Sequence, residues 1–316
     1  MDSPGISGFK FDFSGKSSSA TEKYWRKTGM FAFIYIEKTI FERIGPHPRI
    51  IGYHGVNEHG ELLLQKLPNG QSDVHTRLFS PDPGDDHKTP FQTRILWAAE
   101  IAEGMAHLHK HNIVWNHCHL GNVLFAEDDH IVISNFIHAY IDPNPLTNFL
   151  TGPPPPYLNP SRYTSRKGER STDIFAYGVT LFALMSNKLP HVEGTSFFKK
   201  HEELEFESLS ATIFPWFARI VDKCYKIEYS SAQDIVKDIE EARRCWSEAF
   251  EKGDIQDPDL LQVTEPISSS ASKVPALTEV GDNELHGKAA ETSTPPKLFP
   301  AAGTHFIDGT IVGEGS

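Results

Sequence analysis

Apolar residues fall along the chain in a short-period pattern first and a helical one later. Glu61 to Leu67 is a brief apolar run closed by Pro68-Asn69-Gly70, which predicts a strand entering a turn. Thr89 as a cap and Pro90 at a first helical position introduce Ile95, Ala98, Ala99, Ala102, Met105 and Ala106 at helical spacing, predicting a long helix that ends near His109. Val123 to Phe125 and Ile131 to Ile133 flank the polar Glu127-Asp128-Asp129, the pattern of a hairpin. Asp173 to Met185 is almost wholly apolar and so predicts a helix buried on every side. Ile235, Ile239, Ala242 and Trp246 mark one face of a later helix. The class is α+β, with a small strand-rich part ahead of a larger helical one.

Composition narrows this. The chain has 316 residues, 39% hydrophobic, with a formal charge of -12. From Glu251 onward 11 acidic residues face 4 basic ones, and the run of Ser268, Ser269, Ser270 and Ser272 starts a stretch without apolar period, so 251–316 reads as a disordered acidic tail. An acidic chain is a poor match for nucleic acid, whose binding rests on clustered Lys and Arg. The apolar runs Met30 to Ile36 and Val179 to Met185 are too short to cross a bilayer. The start of the chain lacks the pattern of a signal peptide, and three widely spaced cysteines, Cys118, Cys224 and Cys245, suit free thiols in the cytoplasm or nucleus.

The order of segments resembles the protein kinase-like superfamily from about Glu37 to Arg244. Glu37 and the residues to Gly55 are similar to the C-helix and the strand after it, and Leu62 to Gly70 to the strand and hinge that hold adenine. Gly104 to Phe125 resembles the helix and catalytic loop, Ile133 to Phe136 the metal-binding triplet, and Ser171 to Pro190 the central helix of the large lobe. Val221 to Ile239 resembles the last conserved segment. The resemblance implies a two-lobed α+β fold, with a weakly ordered segment and a degenerate Gly-rich loop over 1–20, then a kinase-like domain over 21–250. The small strand-rich lobe, abbreviated by the short span from Gly15 to Glu37, would run to about 70, and the helical large one from about 71 to 250.

Phosphoryl transfer requires a strand lysine paired with a helix glutamate, a catalytic aspartate, and an aspartate and an asparagine on Mg²⁺. Aligned to that pattern, Asn122 keeps its identity as a metal ligand, but His117 stands at the catalytic aspartate, His119 at the loop lysine and Asn135 at the metal aspartate. A neutral amide serves Mg²⁺ poorly, so this ion is expected to bind weakly or not at all. Gly15 is the remnant of the phosphate loop. No Val-Ala-Ile-Lys-like segment is evident in the short span to Glu37; Lys23 and Lys27 are the nearest candidates for the ATP-binding lysine, but, set in polar sequence, they read as solvated surface lysines. The resemblance would place ATP, where it binds, against Gly15, Glu37, Leu64, Gln65, Leu67 and Leu124. Phe41, Tyr53, Trp115 and Phe136 match the stacked side chains joining the lobes, and Asp173 the aspartate that anchors the catalytic loop.

The expected function is a pseudokinase-like binding or regulatory module with a protein partner. Two alternatives are an atypical ATP-dependent serine/threonine kinase and, because His119 to Asn122 resembles the His-Pro-Gly-Asn loop, a small-molecule phosphotransferase of the aminoglycoside or choline kinase type. His117, Cys118 and His119 lack the spacing of a zinc site, Pro153 to Pro156 reads as a stiff surface loop, and Cys224 and Cys245 read as core. Asn159-Pro160-Ser161 replaces the family's Ala-Pro-Glu.

Overall fold

Three four-residue strands build the first layer. A computed structural model describes residues 23–68, 72–79, 89–141, 157–158, 169–189, 205–258, 272–273, 306–307 and 310–311. Strands β1 (Tyr24–Lys27), β2 (Tyr53–Val56) and β3 (Leu62–Gln65) form an antiparallel sheet in the order β1-β3-β2, with Trp25 opposite Leu64 and Lys27 opposite Leu62. Helix α1 (Phe31–Ile44) buries Ile36, Ile40, Phe41 and Ile44. It starts at Phe31, so the apolar stretch after Met30 is its own first turns and not a lead-in to a later helix. The chain leaving α1 is fastened to the second layer by backbone bonds: the Ile133 N–H donates to Arg49 O at 2.9 Å and the Ile51 N–H to Ile133 O at 3.1 Å.

The helical layer is organised around one helix with no polar face. After α2 (Val74–Phe79), α3 (Phe91–Lys110) runs as the spacing predicts, although it begins one residue later than expected, with Pro90 as its N-cap and no side-chain cap from Thr89. Strands β4 (Ile113–Val114) and β7 (Tyr140–Ile141) pair, and β5 (Val123–Phe125) and β6 (Ile131–Ile133) form the expected hairpin. Helix α4 (Arg170–Ser186) is buried from Thr172 through Met185, which is why its sequence lacks a polar stripe. Helix α5 (Pro215–Tyr225) packs on it so closely that a Cβ on Gly178 would lie 2.6 Å from the Cys224 Cβ. Helix α6 (Ala232–Lys252), capped by Ser231, lays Ile235, Ile239, Ala242 and Trp246 on the core.

Cys224 is buried as expected, but Cys245 is only half-buried, its Sγ 3.4 Å from Glu241 Oε1 on the charged side of α6. Both are free, as is the buried Cys118. Strands β8 (Glu205–Phe206) and β9 (Ser272–Lys273) pair within a unit that ends at Ala276. The second unit, Leu277–Ser316, contains a hairpin of β10 (Phe306–Ile307) and β11 (Thr310–Ile311). Of the expected disordered tail, Glu251 and Lys252 instead close α6 and 253–258 are also described, while the rest apart from β9, β10 and β11 lies outside the described residues, as do Gly15, Pro153 to Pro156 and Asn159 to Ser161. Among the described residues no helix is long and apolar enough to cross a membrane.

Candidate functional site

Asp173, fully buried near the start of α4, fixes the loop after β4. Its Oδ2 accepts the Trp115 backbone N–H at 2.7 Å and its Oδ1 that of Asn116, also at 2.7 Å, while His109 Nε2 lies 2.8 Å from Oδ2. Asn116 can therefore hold φ 61°, a left-handed conformation that Asn tolerates better than most residues. Trp115 is buried, and its indole N–H donates to Ser134 O at 3.1 Å. From this anchored loop the chain turns through a 3₁₀ segment, Leu120–Asn122, which delivers Asn122 to the site.

A second anchor lies under the sheet. Phe136 meets Phe41 edge-on at 5.4 Å, and Phe41 stacks on Tyr53 at 5.0 Å, joining the helical layer to α1 and β2 through aromatic rings. Glu37 of α1, 1% exposed, accepts the Phe136 backbone N–H at 2.9 Å. It also accepts two contacts of 2.8 Å from Lys27 Nζ. This corrects the expectation for Lys27: it is no solvated surface lysine but the last residue of β1, part-buried and paired with the helix glutamate. Tyr24-Trp25-Arg26-Lys27 is thus the segment that stands where Val-Ala-Ile-Lys was sought. The span before Glu37 accommodates it because β1 passes into α1 through only three residues.

The amides at 122 and 135 are engaged with one another. Lys27 Nζ donates to Asn135 Oδ1 at 3.2 Å, Asn135 Nδ2 donates to Asn122 Oδ1 at 2.9 Å, and Asn122 Nδ2 donates to His117 O at 3.0 Å. Asn135 holds φ 62°, again left-handed. Both side-chain oxygens that could face a cation are neutral and already accept a hydrogen bond. These residues do not fit Mg²⁺, which seeks carboxylate or phosphate oxygens in a strict octahedron. Among the described residues no group of three His, Cys, Asp or Glu side chains converges as for a metal.

His117, 2% exposed, stacks on His138 with ring centroids 4.1 Å apart. His138 is held below the ordinary histidine range by burial and then by the charge of Lys27. His119 Nδ1 accepts the Gly121 N–H at 3.2 Å, and its Nε2 lies 2.9 Å from Asn122 Nδ2. Because Nδ1 accepts, the neutral ring carries its one proton on Nε2, and protonation of Nδ1 would lose the Gly121 contact. Burial first, then His75 and His138, push its pKa down to about 3. A folded-state pKa below the unfolded value of about 6.5 means that this site's contribution to stability is complete above pH 6.5 and is lost as pH falls toward 3. We therefore expect wild-type protein to lose more stability than His119→Gln between pH 7 and pH 5, read as urea midpoints. Equal losses would show that His119 does not carry the dependence.

The other expected contacts border this centre. Leu64, Leu67 and Leu124 are buried, and Gln65 is tied to Gly52, its N–H donating to Gly52 O at 2.7 Å and its Oε1 accepting the Gly52 N–H at 3.2 Å. Sequence reasoning passed over His138 and set Lys27 aside as a surface lysine. The signal available for Lys27 was the alternation of Trp25 and Lys27 with Tyr24 and Arg26, followed by Gly29 and an apolar helix that carries Glu37.

With this geometry in place, the family model described as "Protein kinase domain" matches residues 15–244. The chain is 26% identical over 210 residues to a calcium and calcium/calmodulin-dependent serine/threonine-protein kinase of Oryza sativa subsp. japonica, covering 64% of this chain and 37% of that protein. It is 24% identical over 163 residues to the protein kinase C zeta type of Oryctolagus cuniculus, covering 50% of this chain and 26% of the relative. The matches thus span well under half the length of either relative.

Proposed function

We propose that this chain, which belongs to the protein kinase domain family, keeps the family's fold without its phosphotransfer chemistry and acts as a binding or regulatory module for a protein partner. The observation that carries this reading is the closed chain of hydrogen bonds from Lys27 through Asn135 to Asn122. It spends on internal contacts the side-chain oxygens that the family's mechanism assigns to metal, and neither of them is anionic. The family generally uses ATP and Mg²⁺, and its electrostatic stabilisation of the transferring phosphoryl group depends on both. At the position of the catalytic base, a buried imidazole stacked on a second imidazole has no carboxylate to orient a hydroxyl.

A second reading, an atypical ATP-dependent kinase, draws support from the intact Lys27 to Glu37 pair, one of the two arrangements an active kinase requires. Thermal unfolding of the full chain separates the two. If the metal side is lost, Mg²⁺ with ATP raises the melting temperature no more than ATP with EDTA does. A clear Mg²⁺-dependent rise at millimolar ATP would favour the atypical kinase.

A further inference from the structure

Residue 25 is a tryptophan where the motif sought in the sequence has its alanine. Successive residues of a strand point to opposite faces, so Trp25 shares a face with Lys27. The other face belongs to Tyr24, whose ring lies 4.6 Å from that of His54, and to Arg26, whose Nη1 lies 3.5 Å from Glu61 Oε2. Lys27 reaches Glu37 and Asn135, which fixes its face as the one that looks toward the loops carrying Asn122 and Asn135. Trp25 lies two residues before it, directly opposite Leu64. That places the indole at the end of the sheet where β3 gives way to Lys66, Leu67 and Pro68, the segment that would border a purine.

Burial says what the indole does there. Trp25 is 9% exposed, Leu64 3%, Leu67 3% and Leu124 3%, all within one hydrophobic core. An indole facing an open slot wide enough for a purine would be wetted along one side. Indole and adenine are both flat fused bicycles, and an alanine methyl leaves room that a tryptophan ring takes up.

We propose that the Trp25 side chain occupies the purine slot of this domain, so that the native chain excludes adenine nucleosides and nucleotides by shape, and that shortening residue 25 opens the slot to them. The proposal rests on the reading given under Proposed function and deepens it, because exclusion of the base is separate from loss of the metal side. Lys27 remains poised for a phosphate in the opened slot, released from Asn135 Oδ1 when an anion competes for it.

Calorimetry on the full chain with adenosine, and separately with ATP and EDTA, tests this in wild type, Trp25→Val and Trp25→Ala. Valine keeps strand preference and apolar burial should the alanine variant not fold. Wild type is expected to bind neither ligand at millimolar concentration, and the folded variants to bind adenosine about tenfold or more tightly. Lys27→Met together with Glu37→Leu in the Trp25→Val background, which leaves no buried charge unpaired, should weaken ATP more than adenosine. Adenosine binding by wild type with the affinity of Trp25→Val overturns the proposal, and so does a folded Trp25→Val that binds no better than wild type. Should neither variant fold, wild type alone decides: millimolar adenosine binding sinks the idea and none sustains it. The two readings fail separately. A Trp25→Val protein that binds ATP and transfers phosphate keeps the plug and removes the claim of lost chemistry, whereas wild type that binds adenosine yet transfers nothing does the reverse.

Discussion

Asp173→Ala is expected to unfold the protein or leave it barely folded at 25 °C. The substitution removes the acceptor for the Trp115 and Asn116 N–H groups and the partner of His109 Nε2, at a site with no solvent to replace it. A buried donor left without a partner costs about 1–3 kcal/mol, so three of them cost roughly 3–9 kcal/mol. A typical domain has only about 5–15 kcal/mol in total. Asp173→Asn retains one carbonyl oxygen and should fall between wild type and Ala. Urea denaturation followed by circular dichroism measures the series. A midpoint for Asp173→Ala within experimental error of wild type would mean that the catalytic-loop backbone has no need of this anchor.

Glu37→Ala is the second large effect. It strands the Lys27 ammonium, whose side chain is 12% exposed, and leaves the Phe136 N–H without its acceptor. Breaking a buried pair from one side costs about 3–5 kcal/mol, because the remaining charge keeps its desolvation penalty without the compensating attraction. Replacing both partners by apolar residues of similar volume removes the charge altogether. Lys27→Met with Glu37→Leu should therefore recover much of what either single change loses, and the double-mutant cycle should show strong coupling. Additive losses would place Lys27 in solvent, as the sequence alone suggested.

Those two residues also mark how far the sequence could be read. Asp173 was legible because the order of segments resembles a kinase, whose corresponding helix aspartate anchors the catalytic loop, and because it opens the apolar run to Met185. The hairpin of β5 and β6 and the aromatic contacts of Phe41, Tyr53 and Phe136 followed from local runs in a familiar order. Lys27 did not follow, since a four-residue strand has little propensity signal of its own, and its pairing with β3 joins residues nearly forty positions apart. The tryptophan in the alanine place disguised the motif further. His138 was missed for the same reason of distance, because its stacking on His117 depends on how β7 and the loop after β4 come together. Cys245 was misassigned because apolar and charged residues interleave closely along α6, where one residue of offset moves a side chain from the core to the rim.

The claim that the fold persists without the chemistry is tested most directly by phosphoryl transfer itself. Purified full-length protein is incubated with Mg²⁺ and γ-labelled ATP, alone and with generic protein substrates, beside a His117→Ala control. With Asn135 and His117 in place of the two aspartates, incorporation should not rise above background in either protein. Label incorporated by wild type and abolished in His117→Ala would contradict the account, and would make His117 the base of an atypical kinase.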